Sequence, residues 1–285
     1  MRTLVDSFGS PLFRRATLEA VLIGVIAGVV GVHVILRRLP FFVTAMSHAT
    51  FPGVVIASTL GLSMFLGGTA FGLVVVAAVL ALGAKRALDN TAAIAVVLAG
   101  SFALGMLILS TRASASKDLS AILVGSVLTV TPGDVVTTLV VGVAVLGVLG
   151  ALHKELVFGA FDPAGATAMG YPVVVLAGVL LVTVTVTLVA AVPAVGTLLA
   201  IALLTVPALT ARLWTDRLGP TMVLAAVFGA VSAFVGLCAA ALWSIAAGGA
   251  IVLTAGTLFA VSFAATAVSR RPATLAVDRA GTRTS

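Results

Sequence analysis

The chain has 285 residues, of which 61% are apolar and only 9% charged, and its mean hydropathy is +1.29. Soluble domains carry roughly a quarter charged residues, so this composition excludes a soluble enzyme and defines a polytopic membrane protein. The net charge of +7 does not point to nucleic acid, because no basic run exceeds two residues and an Arg/Lys excess in a membrane protein reports orientation.

A helix needs about 20 apolar residues to cross a hydrocarbon core about 30 Å thick. Runs of that kind fall at 17–36, 43–61, 65–84, 91–110, 133–152, 173–192, 196–213, 221–243 and 250–268. The first ends in Arg37-Arg38, not in a small-residue cleavage site, so it reads as a retained span and not a signal peptide. Gly24, Gly28 and Gly31 give that span a small face for close helix packing. Residues 182–189 alternate like a strand, but the run is long and continuously apolar, and backbone satisfaction in lipid favours a helix. Thr183 and Thr187 on one face of it are candidate interhelical donors. The single cysteine, Cys238, cannot form a disulfide within the chain. Gly248-Gly249 are expected to break the chain before the last span.

The basic residues set the orientation. Arg37, Arg38, Lys85, Arg86, Lys154, Arg212, Arg217, Arg270, Arg271, Arg279 and Arg283 fall on one side, and Arg2, Arg14, Arg15, Arg112 and Lys117 on the other. The positive-inside rule puts the first group in the cytosol. The expected class is an all-α integral membrane bundle of nine spans, N-terminus outside and C-terminus inside, or eight if 65–84 or 196–213 is re-entrant or the first run is only partly inserted. Residues 1–16 form an extracytoplasmic segment and 17–268 the transmembrane domain. Residues 269–285 are expected to form a disordered cytosolic tail.

Three constellations carry chemistry. His48 lies inside an apolar run, where ionisable groups are costly and face a partner, a bundle interior or a wet path. On a helix Thr44, His48 and Pro52 share one face, with Ser47 beside them. Pro52 lacks an N–H and so frees the His48 carbonyl. A neutral imidazole there either binds a divalent transition metal or holds the bundle together by hydrogen bonding to a neighbouring helix. His33 and His153 read as interfacial residues. Asp118 and Asp134 flank the start of the 133–152 run, and TPGD there reads as a helix cap. Between two runs on the cytosolic side, Phe161-Asp162-Pro163 to Gly170-Tyr171-Pro172 encodes a short capped helix over 162–170. About two turns cannot stand alone, so the stub is read as a docking surface. No G-x-x-x-x-G-K-[ST] loop and no zinc-finger spacing occurs.

Four stretches resemble the permease subunits of bacterial ABC importers for manganese, zinc and iron, the ABC-3 type family: LRRLPFFVTAMSHATFPG, KELVFGAFDPAGATAMG, VPAVGTLLAIALLTVPALTARL and SIAAGGAIVL. Together they cover about residues 16–268, in the family's order and sidedness. The resemblance implies a type II importer-like homodimer in the bacterial plasma membrane. Its partners would be a separate cytosolic ATPase and an extracellular metal-binding protein, so ATP hydrolysis belongs to a partner. It implies no tightly bound cofactor, and manganese, zinc or iron as cargo along a path at the dimer centre. His48, Thr44 and Ser47 become the metal or path residues, and Pro52, Thr205, Pro207 and Thr210 line or gate the path. Phe161, Asp162, Pro163, Ala166 and Gly170 become the ATPase-coupling helix. The family pattern has aspartate four residues before this histidine, and here the position is Thr44. That leaves open a chelated or non-metal cargo. A stand-alone secondary transporter is a further alternative, although every acid but Glu19 falls at a junction.

Overall fold

The computed structural model describes residues 10–83, 90–110 and 130–270. Within them the chain is helical: α1 (Pro11–Leu36), α2 (Pro40–Ala49), α3 (Phe51–Thr59), α4 (Met64–Gly83), α5 (Asn90–Ser110), α6 (Pro132–Ala151), α7 (His153–Phe161), α8 (Pro163–Ala168), α9 (Val173–Val195), α10 (Thr197–Trp214), α11 (Leu218–Trp243) and α12 (Ala247–Arg270). Lys85, Arg86, Arg112, Lys117, Asp118, the first nine residues and the tail from Arg271 lie outside the described residues.

Eight segments are long and apolar enough to cross a membrane, and residues Leu199–Trp214 of α10 form a shorter apolar ninth. The 65–84 run is a full-length helix, so the short member of the set is α10, which contains Pro207. Gly196, in the left-handed region at φ 82°, turns the chain from α9 into α10. The predicted 43–61 span is two helices, α2 and α3, meeting at Thr50. Pro52 in the first turn of α3 cannot donate to the carbonyl one turn back, so the ladder restarts there. Gly248 and Gly249 do not break the chain: both sit in the first turn of α12.

The α1 helix is the hub, packed against α6, α9, α10 and α11. A Cβ at Gly24 would stand 2.5 Å from the Gly229 carbonyl oxygen of α11, and one at Gly28 would collide with the Ala225 carbonyl. Gly31 faces the Leu204 backbone of α10 in the same way. Lipid offers no hydrophobic drive between helices, so bare backbone is what lets them approach for dispersion contact. Gly53 and Gly67 repeat the device where α3 crosses α4.

Polar side chains in the spans mostly serve their own helix. Thr183 donates to the Val179 carbonyl at 2.7 Å and Thr187 to that of Thr183 at 2.8 Å, so neither bridges helices as expected. A hydroxyl reaching i−4 is satisfied without a partner helix. One interhelical exception is Glu19, 1% exposed, whose Oε1 accepts from the Thr138 hydroxyl of α6 at 2.6 Å. Thr131 and Asp134 close a reciprocal capping box at the start of α6, as TPGD implies.

Gly24→Leu should therefore prevent α1 and α11 from docking, at a cost of at least about 1–3 kcal/mol from overpacking. Gly249→Ala, with nothing within 4 Å of the added carbon, should be neutral. Thermal unfolding followed by size-exclusion chromatography in detergent compares the two.

Candidate functional site

His48 ends α2 with its ring half-buried, edge-on to Phe102 of α5 at 6.2 Å between ring centres and 84° between planes. Phe51, the first residue of α3, also meets Phe102, tilted at 37° with ring centres 6.4 Å apart. The break at Thr50 ends the short helix at this point, and Pro52 is buried behind it. Thr44, one turn before His48, is exposed on the outer face of the protomer, and its hydroxyl donates to the Pro40 carbonyl at 3.2 Å. Ser47 is buried, with its hydroxyl on the Thr44 carbonyl at 2.8 Å. The predicted trio thus lies on two turns of one helix, but Thr44 and Ser47 spend their protons on backbone and offer only oxygen lone pairs. Among the described residues no group of three or more His, Cys, Asp or Glu is placed to hold a metal ion. One protomer supplies a single imidazole with neutral oxygens.

The α10 residues stand apart from this trio in character. Thr205 is half-buried and donates to the Ile201 carbonyl at 2.9 Å. Thr210 is buried on the Val206 carbonyl at 2.8 Å, with Pro207 buried between them. Pro207 lacks the N–H that would reach the Leu203 carbonyl, and the two hydroxyls bond other carbonyls of the same helix.

The stub is built as the sequence implies. Asp162 caps α8, its Oδ1 accepting from the Gly165 N–H at 2.8 Å, with Pro163 as the first helical residue. A Cβ at Gly165 would collide with that carboxylate, so glycine keeps the cap open. Ala166 is fully buried against the neighbouring helices, and Gly170 ends the turn at φ 84°. Phe161 and Met169, at the two ends of the stub, are 69% and 72% exposed. Tyr171 closes back edge-on against Phe158 of α7 at 5.9 Å. The stub thus holds two large apolar side chains out in the open.

A link that sequence reading missed joins the two regions. Arg37 donates from Nη2 to the Leu156 carbonyl of α7 at 3.0 Å. Burial pushes the Arg37 guanidinium below its ordinary value, but arginine stays charged. The turn after it places Arg38 in the left-handed region at φ 56°, and the Leu39 N–H closes on the Val34 carbonyl at 2.9 Å. No local signal reveals the pairing, because 119 residues separate donor and acceptor. His33, near the end of α1, is buried within the fold.

A bundle of long apolar helices, one broken beside a histidine, with a capped stub between two spans, defines the membrane-spanning subunit of a transporter. The chain belongs to the ABC 3 transport family, whose family model matches residues 10–266. It is a multi-pass plasma-membrane protein. The manganese transport system membrane protein MntC of Listeria monocytogenes is 36% identical over 250 residues, covering 88% of this chain and 89% of that one. The manganese import system permease protein ScaB of Streptococcus gordonii is also 36% identical, covering 88% and 90%. Among solved structures, PsaBC from Streptococcus pneumoniae in complex with Fab superposes with a TM-score of 0.82 at 34% identity, covering 91% of this chain and 94% of that one.

Removing the stub's cap should loosen it without disturbing the bundle. Asp162→Ala should cost the stub about 1 kcal/mol and raise hydrogen exchange across 162–170 severalfold, while exchange in α1 and α11 stays unchanged.

Proposed function

We propose that this chain is the permease subunit of an ATP-driven importer of a divalent transition metal of the manganese, zinc and iron class, with manganese favoured by its relatives. The observation that carries the reading is His48, half-buried at a broken span beside the exposed Thr44. A ligand set that is incomplete in one protomer and open on its outer face is completed by a second copy. Two His48 imidazoles near a shared axis, with Thr44 and Ser47 oxygens, would form a transient cargo site. A weak, neutral set suits transport, because cargo must leave as readily as it enters.

The basic face, with Arg37, Arg38, Lys154, Arg212 and Arg217, is the cytosolic one. A cytosolic ATPase docks on the stub from Phe161 to Gly170, and an extracellular binding protein delivers cargo to the opposite face. Closure of the ATPase dimer moves α8, and α7 carries the motion to α1 through the Arg37–Leu156 bond. The turn at Arg38 passes it on to α2 and His48. Rigid helices switching between two packings are a common form of such a transition. Pro52 and Pro207 are the flexible points along the path, with Thr205 and Thr210 flanking Pro207 on α10.

Thr44 also supports a second reading, a chelated cargo of lower charge. Without a carboxylate, a bare dication gains less from this site. Uptake of a labelled metal in the presence of excess chelator separates the two: bare-ion uptake collapses, chelate uptake rises.

Two variants test the site in cells carrying the whole importer. His48→Ala should reduce manganese uptake at least about tenfold while membrane abundance is unchanged. Undiminished uptake of manganese, zinc and iron would sink the assignment. Thr44→Asp adds the missing carboxylate and should tighten half-saturation for manganese about tenfold, or ~1.4 kcal/mol.

A further inference from the structure

The chain has three histidines, and the transport path uses one. The other two, His33 near the end of α1 and His153 at the start of α7, lie far apart in sequence and meet in the fold. Their ring centres stand 6.1 Å apart at an interplanar angle of 67°. His33 is 2% exposed, and both its ring nitrogens are buried without a hydrogen-bond partner. The Val29 carbonyl, one turn back, lies toward the ring but short of hydrogen-bonding geometry. A buried imidazole with neither nitrogen satisfied is a costly feature, and packing alone would be served as well by an apolar side chain of the same size.

We infer that His33 and His153 form a second transition-metal site, on the basic face and separate from His48. With metal–nitrogen bonds of about 2.0–2.1 Å, two imidazoles on one ion hold their ring centres about 5–6 Å apart. The observed distance of 6.1 Å between ring centres lies just beyond that range. His153 is only partly buried and is the side from which an ion would reach the pair. The pair is pre-positioned from both sides. Arg37 holds the α7 backbone at Leu156, and the Leu156 side chain is itself buried.

Two neutral nitrogens with water suit borderline ions such as zinc, cobalt or nickel, and suit the harder manganese ion poorly. The Arg37 charge next to the pair opposes a dication, so the site is of modest affinity and fills only when the ion is plentiful on that side. An ion bridging α1 and α7 would clamp the helix that leads directly into the stub, and so resist its movement. Metal accumulating on the basic face would then slow the transporter.

Cobalt chloride titrated into the purified full-length chain in detergent tests the site, with visible absorption reporting nitrogen ligation. His48→Ala removes the path ligand, and this variant is expected to retain about one equivalent of nitrogen-bound cobalt per chain. His48→Ala/His153→Ala should lose that equivalent, with an unchanged elution profile. His153 is half-exposed, so its removal is not expected to disturb folding; His48→Ala/His33→Phe is the companion variant and should lose the same equivalent. The inference is overturned if the His48→Ala chain shows no nitrogen-bound cobalt, or if the signal persists in a folded His48→Ala/His153→Ala chain. Neither outcome bears on the manganese uptake lost with His48.

Discussion

The structure depends on the approach of α1 to α11 through bare backbone. Within lipid, every backbone polar group must be satisfied inside its own helix, and helix association then rests on how closely the cylinders meet. Gly24 and Gly28 against Gly229 and Ala225 make that approach possible, and Gly31 extends it to α10. With α1 held on that side, α6 docks on another through Glu19 and Thr138. The position of α1 in turn decides where Arg37 emerges and therefore where α7 is fastened.

From that fastening runs a continuous mechanical line. The stub α8 is rigid because Asp162 and Gly165 close its cap, and it is attached because Ala166 is buried. The Arg37–Leu156 bond ties α7 to α1, and the tight turn at Arg38 sends the chain into α2. His48 lies at the far end of α2, where Pro52 interrupts the ladder. Each part is short, so a displacement at the stub has few soft joints in which to dissipate before reaching the histidine.

Local chemistry was legible wherever it acts within a turn or two of helix. The capping box at Thr131 and Asp134, the Asp162 cap, the proline at the start of α8 and the glycine face of α1 were all readable from spacing, because each obeys a rule of a few residues. The errors have the same origin. Thr183 and Thr187 looked available for a neighbouring helix, yet i−4 carbonyls satisfy them, and spacing cannot distinguish these outcomes. The distance of His33 from the helix end could not show that its ring is buried beside His153 of α7. Gly248 and Gly249 looked like a break, but nothing in the first turn of α12 requires one.

The amino-acid sequence by itself determined an all-helical membrane bundle, its capped stub and a histidine on a proline-broken span. Composition, charge asymmetry and helical spacing are local or additive properties, and they survive without knowledge of neighbours. Only the tertiary structure decided that Phe102 flanks His48, that Arg37 holds Leu156, and that His33 meets His153. Those pairings join residues of different helices. Which face of α1 meets α10 and α11 is set by backbone approach at a few glycines, a quantity no single segment contains.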